Sequence, residues 1–257
     1  MQLTSTQNPL LKSLRRATGA GRPTDEGLLV AEGPHLLEEA LRGTWHIEKI
    51  IGTAEALERH RTLLEQARAE VVEVPRRAFA SIASTESTQE VLSLLRPRAW
   101  SWKELLSGTA LLVVLDGIQD PGNAGTIVRS AEAFGATGLL FLNGSTRVSN
   151  GKFLRAAAGS IFRLPFLESV RSQHLIERLQ GSGLRPYALA PRGRMTLTDT
   201  DFTGACALLV GAEGAGVSPE PLAASETISI PTRQVESLNA AVACSVALFE
   251  AFRQRTA

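Results

Sequence analysis

Cysteine is scarce in these 257 residues. Only Cys206 and Cys244 occur, far apart and each in an apolar segment. That excludes a disulfide framework and predicts two buried free thiols in a reducing, cytoplasmic setting. Histidine is sparse too: His35, His46, His60 and His174 are scattered without metal-ligand spacing, so no metal is expected. No apolar run approaches the roughly 18 residues of a membrane span, and the opening "MQLTSTQNPLLKSLRR" has no apolar core of a secretion signal. The net charge of only +1 argues against a general nucleic-acid coat protein. Acidic residues are missing from two stretches. Residues 1–24 carry Lys12, Arg15, Arg16 and Arg22, and residues 133–167 carry Arg147, Lys152, Arg155 and Arg163. Such stretches suit a phosphate-binding surface, although solvated faces would look the same.

With 44% hydrophobic and 21% charged residues, the chain reads as globular and long enough for two cores. "RPRAWSWKELLSGT" interrupts the periodic segments, dividing a domain at 1–96 and a linker at 97–109 from a second domain at 110–257. In the first domain "GLLVAEG", "IEKIIGT", "VVEVP" and "VLSLLRP" read as strands, alternating with helical "PHLLEEALRG" and "AEALERHRTLLEQARAE". In the second, strands are expected at Leu111–Leu115, Gly138–Leu142, Pro186–Ala190, Ala205–Val210 and Thr227–Ile230. Helices are expected at Asn123–Phe134, Asn150–Ala158, Ser172–Leu179 and Leu238–Arg253. The last helix places Leu238, Val242, Ser245, Phe249 and Phe252 on one face at core spacing. The fold class is therefore α/β, with a small α/β domain followed by a parallel sheet covered on both sides.

In open sheets of this kind ligands bind beyond the carboxyl ends of the strands. Three loops there hold unusual residues. "LDGIQDPGNAGTIVRSAEAFGA" (115–136) carries Asn123, expected to cap its helix, and Arg129. "LLVGAEGAGVSPE" (208–220) sets Glu213 among glycines. "ISIPTRQVESLNAAVA" (228–243) holds Ser237 and Asn239 about the start of the last helix. The glycine spacing fits neither a P-loop nor a dinucleotide fingerprint, which weighs against an oxidoreductase. A ribosome-binding factor without catalysis would not need Arg129, Glu213, Ser237 and Asn239 together.

The ordered set Asn123-x-Gly125-x-x-x-Arg129, "GAEGAG", and Ile230-Pro231 with "SLN" at 237–239 resembles the SpoU (TrmH) family of RNA ribose 2′-O-methyltransferases, of the SPOUT class. "STQNPLLKSLRR", "LLVAEGPHLLEEAL" and "STESTQEVLSLL" resemble that family's ribosomal-protein-like RNA substrate-binding domain, so the likeness spans nearly the whole chain. The chain departs from the family pattern at Ala241, where many relatives have serine, at Thr232 and at Glu90.

The resemblance implies a C-terminal trefoil knot, a rare exception to unknotted folding. It also implies S-adenosyl-L-methionine as cofactor, held by Gly211, Ile230 and Leu238 with Leu189 as an addition. Asn123, Arg129, Glu213, Ser237 and Asn239 are the implied catalytic set. Family mechanisms often cast the arginine as base; a guanidinium that stays protonated fits better as a fixed cation beside the developing alkoxide. Ribosomal RNA is the expected substrate, with transfer RNA the alternative. A homodimer through the C-terminal domain is expected as well, from the family and from a last helix that is apolar nearly all round.

Overall fold

The computed structural model describes residues 3, 7–85 and 88–256. Residues 5–6 and 86–87, part of two phrases that carried the resemblance, lie outside them. The chain forms two compact units: residues 1–99 with 147–163, and residues 100–146 with 164–257.

The first unit opens with helix α1 (Pro9–Ala20). Asn8 caps it, its side chain accepting from Leu10 N at 2.9 Å, Pro9 presets the first turn, and Gly21 ends it at φ 58°. Then follow β1 (Leu29–Glu32), α2 (Pro34–Arg42), β2 (His46–Gly52), α3 (Ala54–Arg59), α4 (Arg61–Ala67), β3 (Glu70–Glu73), α5 (Arg76–Ala80) and β4 (Val91–Arg96). The sheet order is β1-β4-β2-β3, with β4 antiparallel to both neighbours and β2 parallel to β3. Leu11, Leu14 and Ala17, one stripe of α1, close over Phe79, Ile51, Val72 and Leu92. The single helix expected over 54–70 is broken at His60. No residue of α4 is buried, so no packing holds it on the axis of α3.

The second unit begins with α6 (Trp102–Leu105), where Ser101 N donates to Glu104 Oε2 at 2.9 Å and Leu105 is fully buried. The stretch read as a linker thus folds from Trp100 onward against this unit's core. There follow β5 (Leu111–Asp116), α7 (Pro121–Ala133) and β6 (Gly138–Leu142). Next comes α8 (Gly151–Ala157), which packs in the first unit. The chain then returns as β7 (Phe166–Val170), α9 (Ser172–Ser182), β8 (Arg185–Leu189), β9 (Met195–Thr196), β10 (Cys206–Gly211), α10 (Pro219–Ala223), β11 (Glu226–Ser229) and α11 (Ala240–Thr256). Seven strands in the order β7-β6-β5-β10-β8-β11-β9 pair in parallel throughout. Their central members, "LLVVLD" and "CALLVG", are buried at every position, the mark of strands covered on both faces.

Helix α11 corrects the expected core stripe. Its buried face is Ala241, Cys244, Ala247, Leu248 and Ala251, whereas Phe249 is 52% and Val242 49% exposed. The helix packs against α7, where Ser130 Oγ lies 2.6 Å from Ser245 Oγ, and only small side chains allow so close an approach. Phe134 of the α7 end rests on Phe249 and Phe252, at centroid distances of 5.7 and 6.0 Å. Both cysteines are buried and free, and burial raises both thiols above their ordinary value. Among the described residues no helix is long and apolar enough to cross a membrane.

Candidate active site

The polar residues of the three loops converge beyond the carboxyl ends of β5, β10 and β11. Asn123 Nδ2 donates to Glu213 Oε1 at 2.9 Å; Asn239 Nδ2 donates to the same oxygen at 2.5 Å and to Asn123 Oδ1 at 3.2 Å. The amide orientations follow from local structure. Asn239 Oδ1 accepts from Ala241 N (3.0 Å) and Val242 N (3.3 Å), which makes it the cap of α11 and turns its Nδ2 outward. Asn123 Oδ1 must then accept from that Nδ2, so its own Nδ2 faces Glu213.

Asn123 does not cap α7. Asp120 does, its carboxylate accepting from Asn123 N at 2.7 Å with Pro121 in the first turn. The Asp-Pro pair is the stronger starting signal, and it places Asn123 one turn inside the helix with its amide free for Glu213.

Beside the trio lies a cavity of about 420 Å³. Leu189, Gly211, Ile230 and Leu238, the four expected cofactor residues, all line it, as do Glu213 and Ser237. Its wall is close-packed backbone: a Cβ on Gly211 would lie 1.9 Å from Gly216 C and 2.0 Å from Val217 N. No side chain fits there. Ser237 is exposed in the loop before α11. Arg129 lies six residues beyond Asn123 on α7, exposed, and its side chain has no hydrogen bond or ion pair among the described residues. The chain therefore joins Asn123, Glu213 and Asn239 directly and leaves the Arg129 guanidinium unpaired among the described residues.

Asp116 was missed from sequence. It is buried at the end of β5 and its Oδ2 accepts from Ser218 N at 2.7 Å and Ser218 Oγ at 2.6 Å. One carboxylate thus ties the glycine-rich loop to the strand that launches the Asn123 elbow. An acid closing an otherwise apolar strand was the available signal. Thr232 Oγ1 donates to Val235 O at 2.6 Å, and Ala241 is buried.

The SpoU rRNA Methylase family matches residues 110–249, over half of the chain. The chain belongs to the SpoU rRNA methylase family. Residues 8–93 match the MRM3-like substrate binding domain. Among SpoU relatives, an uncharacterized tRNA/rRNA methyltransferase of Synechocystis is 35% identical over 99% of this chain and 94% of its own. A 23S rRNA (guanosine(2553)-2′-O)-methyltransferase of Bacillus subtilis is 28% identical over 96% and 98%. Among solved SpoU structures, the methyltransferase AviRb from Streptomyces viridochromogenes, in complex with AdoMet, superposes with a TM-score of 0.86. It is 26% identical, covering 97% of this chain and 99% of that one.

Proposed function

We propose that the protein transfers a methyl group from S-adenosylmethionine to a ribose 2′-hydroxyl of ribosomal RNA. The observation that carries this reading is the Asn123–Glu213–Asn239 trio, whose Glu213 lines the 420 Å³ cavity.

The cavity suits the cofactor. Its volume is that of a small-molecule site, and Leu189, Ile230 and Leu238 offer apolar walls for an adenine. The glycine-rich backbone from Gly211 to Gly216 offers hydrogen-bonding groups unobstructed by side chains. When bound, S-adenosylmethionine supplies a methyl group on a sulfonium, a good leaving group. The protein's task is then at the nucleophile, since a ribose hydroxyl is barely acidic at neutral pH. In this reading Asn123, Glu213 and Asn239, each fixed by the others, orient the ribose with Ser237 beside them. Arg129 stays protonated, stabilising the developing alkoxide and holding the neighbouring phosphate.

Pairing of two chains belongs to the same reading. Among the described residues, four of the five large apolar side chains left exposed are on α11: Val242, Val246, Phe249 and Phe252. A two-fold contact would cover this stripe with its own copy. The trefoil threading implied by the resemblance is also part of it, supported by the chain passing from β10 to β11 beyond β8 and returning to pack α11 on α7.

The test is transfer of labelled methyl from S-adenosylmethionine to unmodified ribosomal RNA and, separately, to transfer RNA, with the product mapped as a ribose modification. Ribose mapping in a deletion strain and its complement then locates the nucleotide. Transfer to transfer RNA alone would shift the substrate; no transfer to either would leave a non-catalytic ribosome-binding factor.

A further inference from the structure

The two acid-free basic stretches of the sequence meet in the first unit. Ser149 Oγ donates to Gly21 O at 2.9 Å, and a Cβ on Gly21 would lie 3.6 Å from Asn150 Cα. The end of α1 therefore abuts the turn that starts α8. Asn150 caps that helix, accepting from Lys152 N at 2.9 Å, and Asn150 N donates to Arg147 O at 3.0 Å. Arg22 follows Gly21 directly, while Arg147 and Lys152 flank Ser149 and Asn150, so three cationic residues adjoin this one contact in the chain. Lys12 lies further back along α1.

All four are exposed, and the side chain of none has a hydrogen bond or ion pair among the described residues. Most other arginines of the unit are paired instead, with Arg68 and Arg77 as the exceptions among the described residues. Arg16 is held by Asp25 at 2.5 Å, Arg42 by Glu38 and Glu39, Arg76 by Glu90, Arg96 by Glu48, and Arg163 by Glu39. Asp25, the acid nearest to Arg22 in sequence, is thus engaged by Arg16. Gathering like charges without counterions is unfavourable for the isolated protein, and the cost is offset when a polyanion supplies the missing charge.

We propose that Arg22, Arg147 and Lys152, extended by Lys12, form a composite seam that binds the sugar-phosphate backbone of the RNA substrate. The inference rests on the RNA-methylation reading above. It adds that the grip is shared by two segments more than 120 residues apart in sequence, and that half of it comes from the chain between β6 and β7.

The experiment uses the full-length protein with unmodified 23S ribosomal RNA made by transcription. Arg22→Ala, Arg147→Ala and Lys152→Ala are combined, and affinity is measured across a salt series. Each lost phosphate contact lowers the slope of log affinity against log salt by about 0.7–0.9, so the triple variant should be shallower by about 2–3. KM for RNA should rise with kcat nearly unchanged, and stabilisation by S-adenosylhomocysteine should be kept. A matched variant, Arg59→Ala with Arg61→Ala and Arg68→Ala, removes three cations from α3 and the ends of α4 and should keep the wild-type slope. An unchanged slope in the first variant, or an equal loss in the second, overturns the seam. If wild type methylates RNA in either case, the functional reading survives; if wild type neither binds nor methylates RNA, both fall.

Discussion

Asn239 donates a 2.5 Å hydrogen bond to Glu213 from the side chain that also caps α11. The two duties are separable by substitution. Asn239→Asp keeps an oxygen for the cap but turns a second carboxylate oxygen toward Glu213. Asn239→Ala removes both. Each should lower methyl transfer by about 10²-fold or more. Only the alanine variant should also lose a cap's worth of stability, about 1 kcal/mol, or roughly 2–4 °C in Tm. Transfer assays and thermal scans on both variants check this; equal Tm losses would contradict the division.

The exposed Arg129 side chain has no hydrogen bond or ion pair among the described residues, so removing it should leave the fold alone. Arg129→Ala should abolish transfer while Tm stays within about 0.5 kcal/mol equivalent and S-adenosylhomocysteine binds as before. Arg129→Lys should also fail, because a point charge cannot reproduce the planar fork. Normal turnover in the lysine variant would remove this role.

The exposed stripe of α11 directs the dimer test. Val246→Glu with Phe249→Glu should halve the mass seen by light scattering and lower activity, with the loss of monomer stability confined to the Phe134–Phe249 contact. Ala247→Arg does something else: Ala247 is fully buried in its own chain, so the variant should fail to fold. A fully active monomer from the double variant would refute pairing.

Acid sensitivity should trace in part to Glu32. Burial by itself would raise its carboxyl, but hydrogen bonds from Ser84 and Thr85 outweigh that and hold it below 4.5. A depressed folded value means that its contribution is complete above the unfolded value and lost as pH falls through the folded one. The Tm gap between wild type and Glu32→Gln should therefore be constant near neutrality and narrow below about pH 4.5. A gap that widens in acid would reverse the sign.

Glu90 has a φ of 57°, a backbone conformation that favours glycine. The side chain compensates by accepting from Thr53 Oγ1 at 2.8 Å and pairing with Arg76 Nε at 2.7 Å. Glu90→Ala loses those contacts and keeps the strain, whereas Glu90→Gly loses them and relieves it. The glycine variant should melt above the alanine variant.

The sequence was most legible where one local rule governs. The buried runs of β5 and β10 and the four strands of the first unit announce themselves by composition. β7 does not, because Glu168 and Ser169 face solvent on an edge strand. On α11 the largest apolar residues suggested the core face, yet close packing on α7 admits only alanine, cysteine and serine beside Leu248. The trio at the site could be assembled from its motifs, but the hydrogen bonds among its members could not. Asp116 binding Ser218 spans 102 positions and leaves no periodic trace. The same holds for residues 147–163: their basic charge was plain, but their place in the first unit depends on distant partners.

That placement also governs the order in which the nascent chain can fold. Trp45 packs tilted against Phe162 at 4.8 Å between ring centroids, Thr44 N donates to Phe162 O at 2.9 Å, and buried Glu39 is paired by Arg163 at 2.7 Å. When residue 99 has just been added, none of these partners has yet been made. At about 5–20 residues per second, another 3 to 13 s or so of translation must pass before Arg163 exists. The N-terminal unit is thus begun first but closed late, after β5, α7 and β6 of the other unit have already been synthesised.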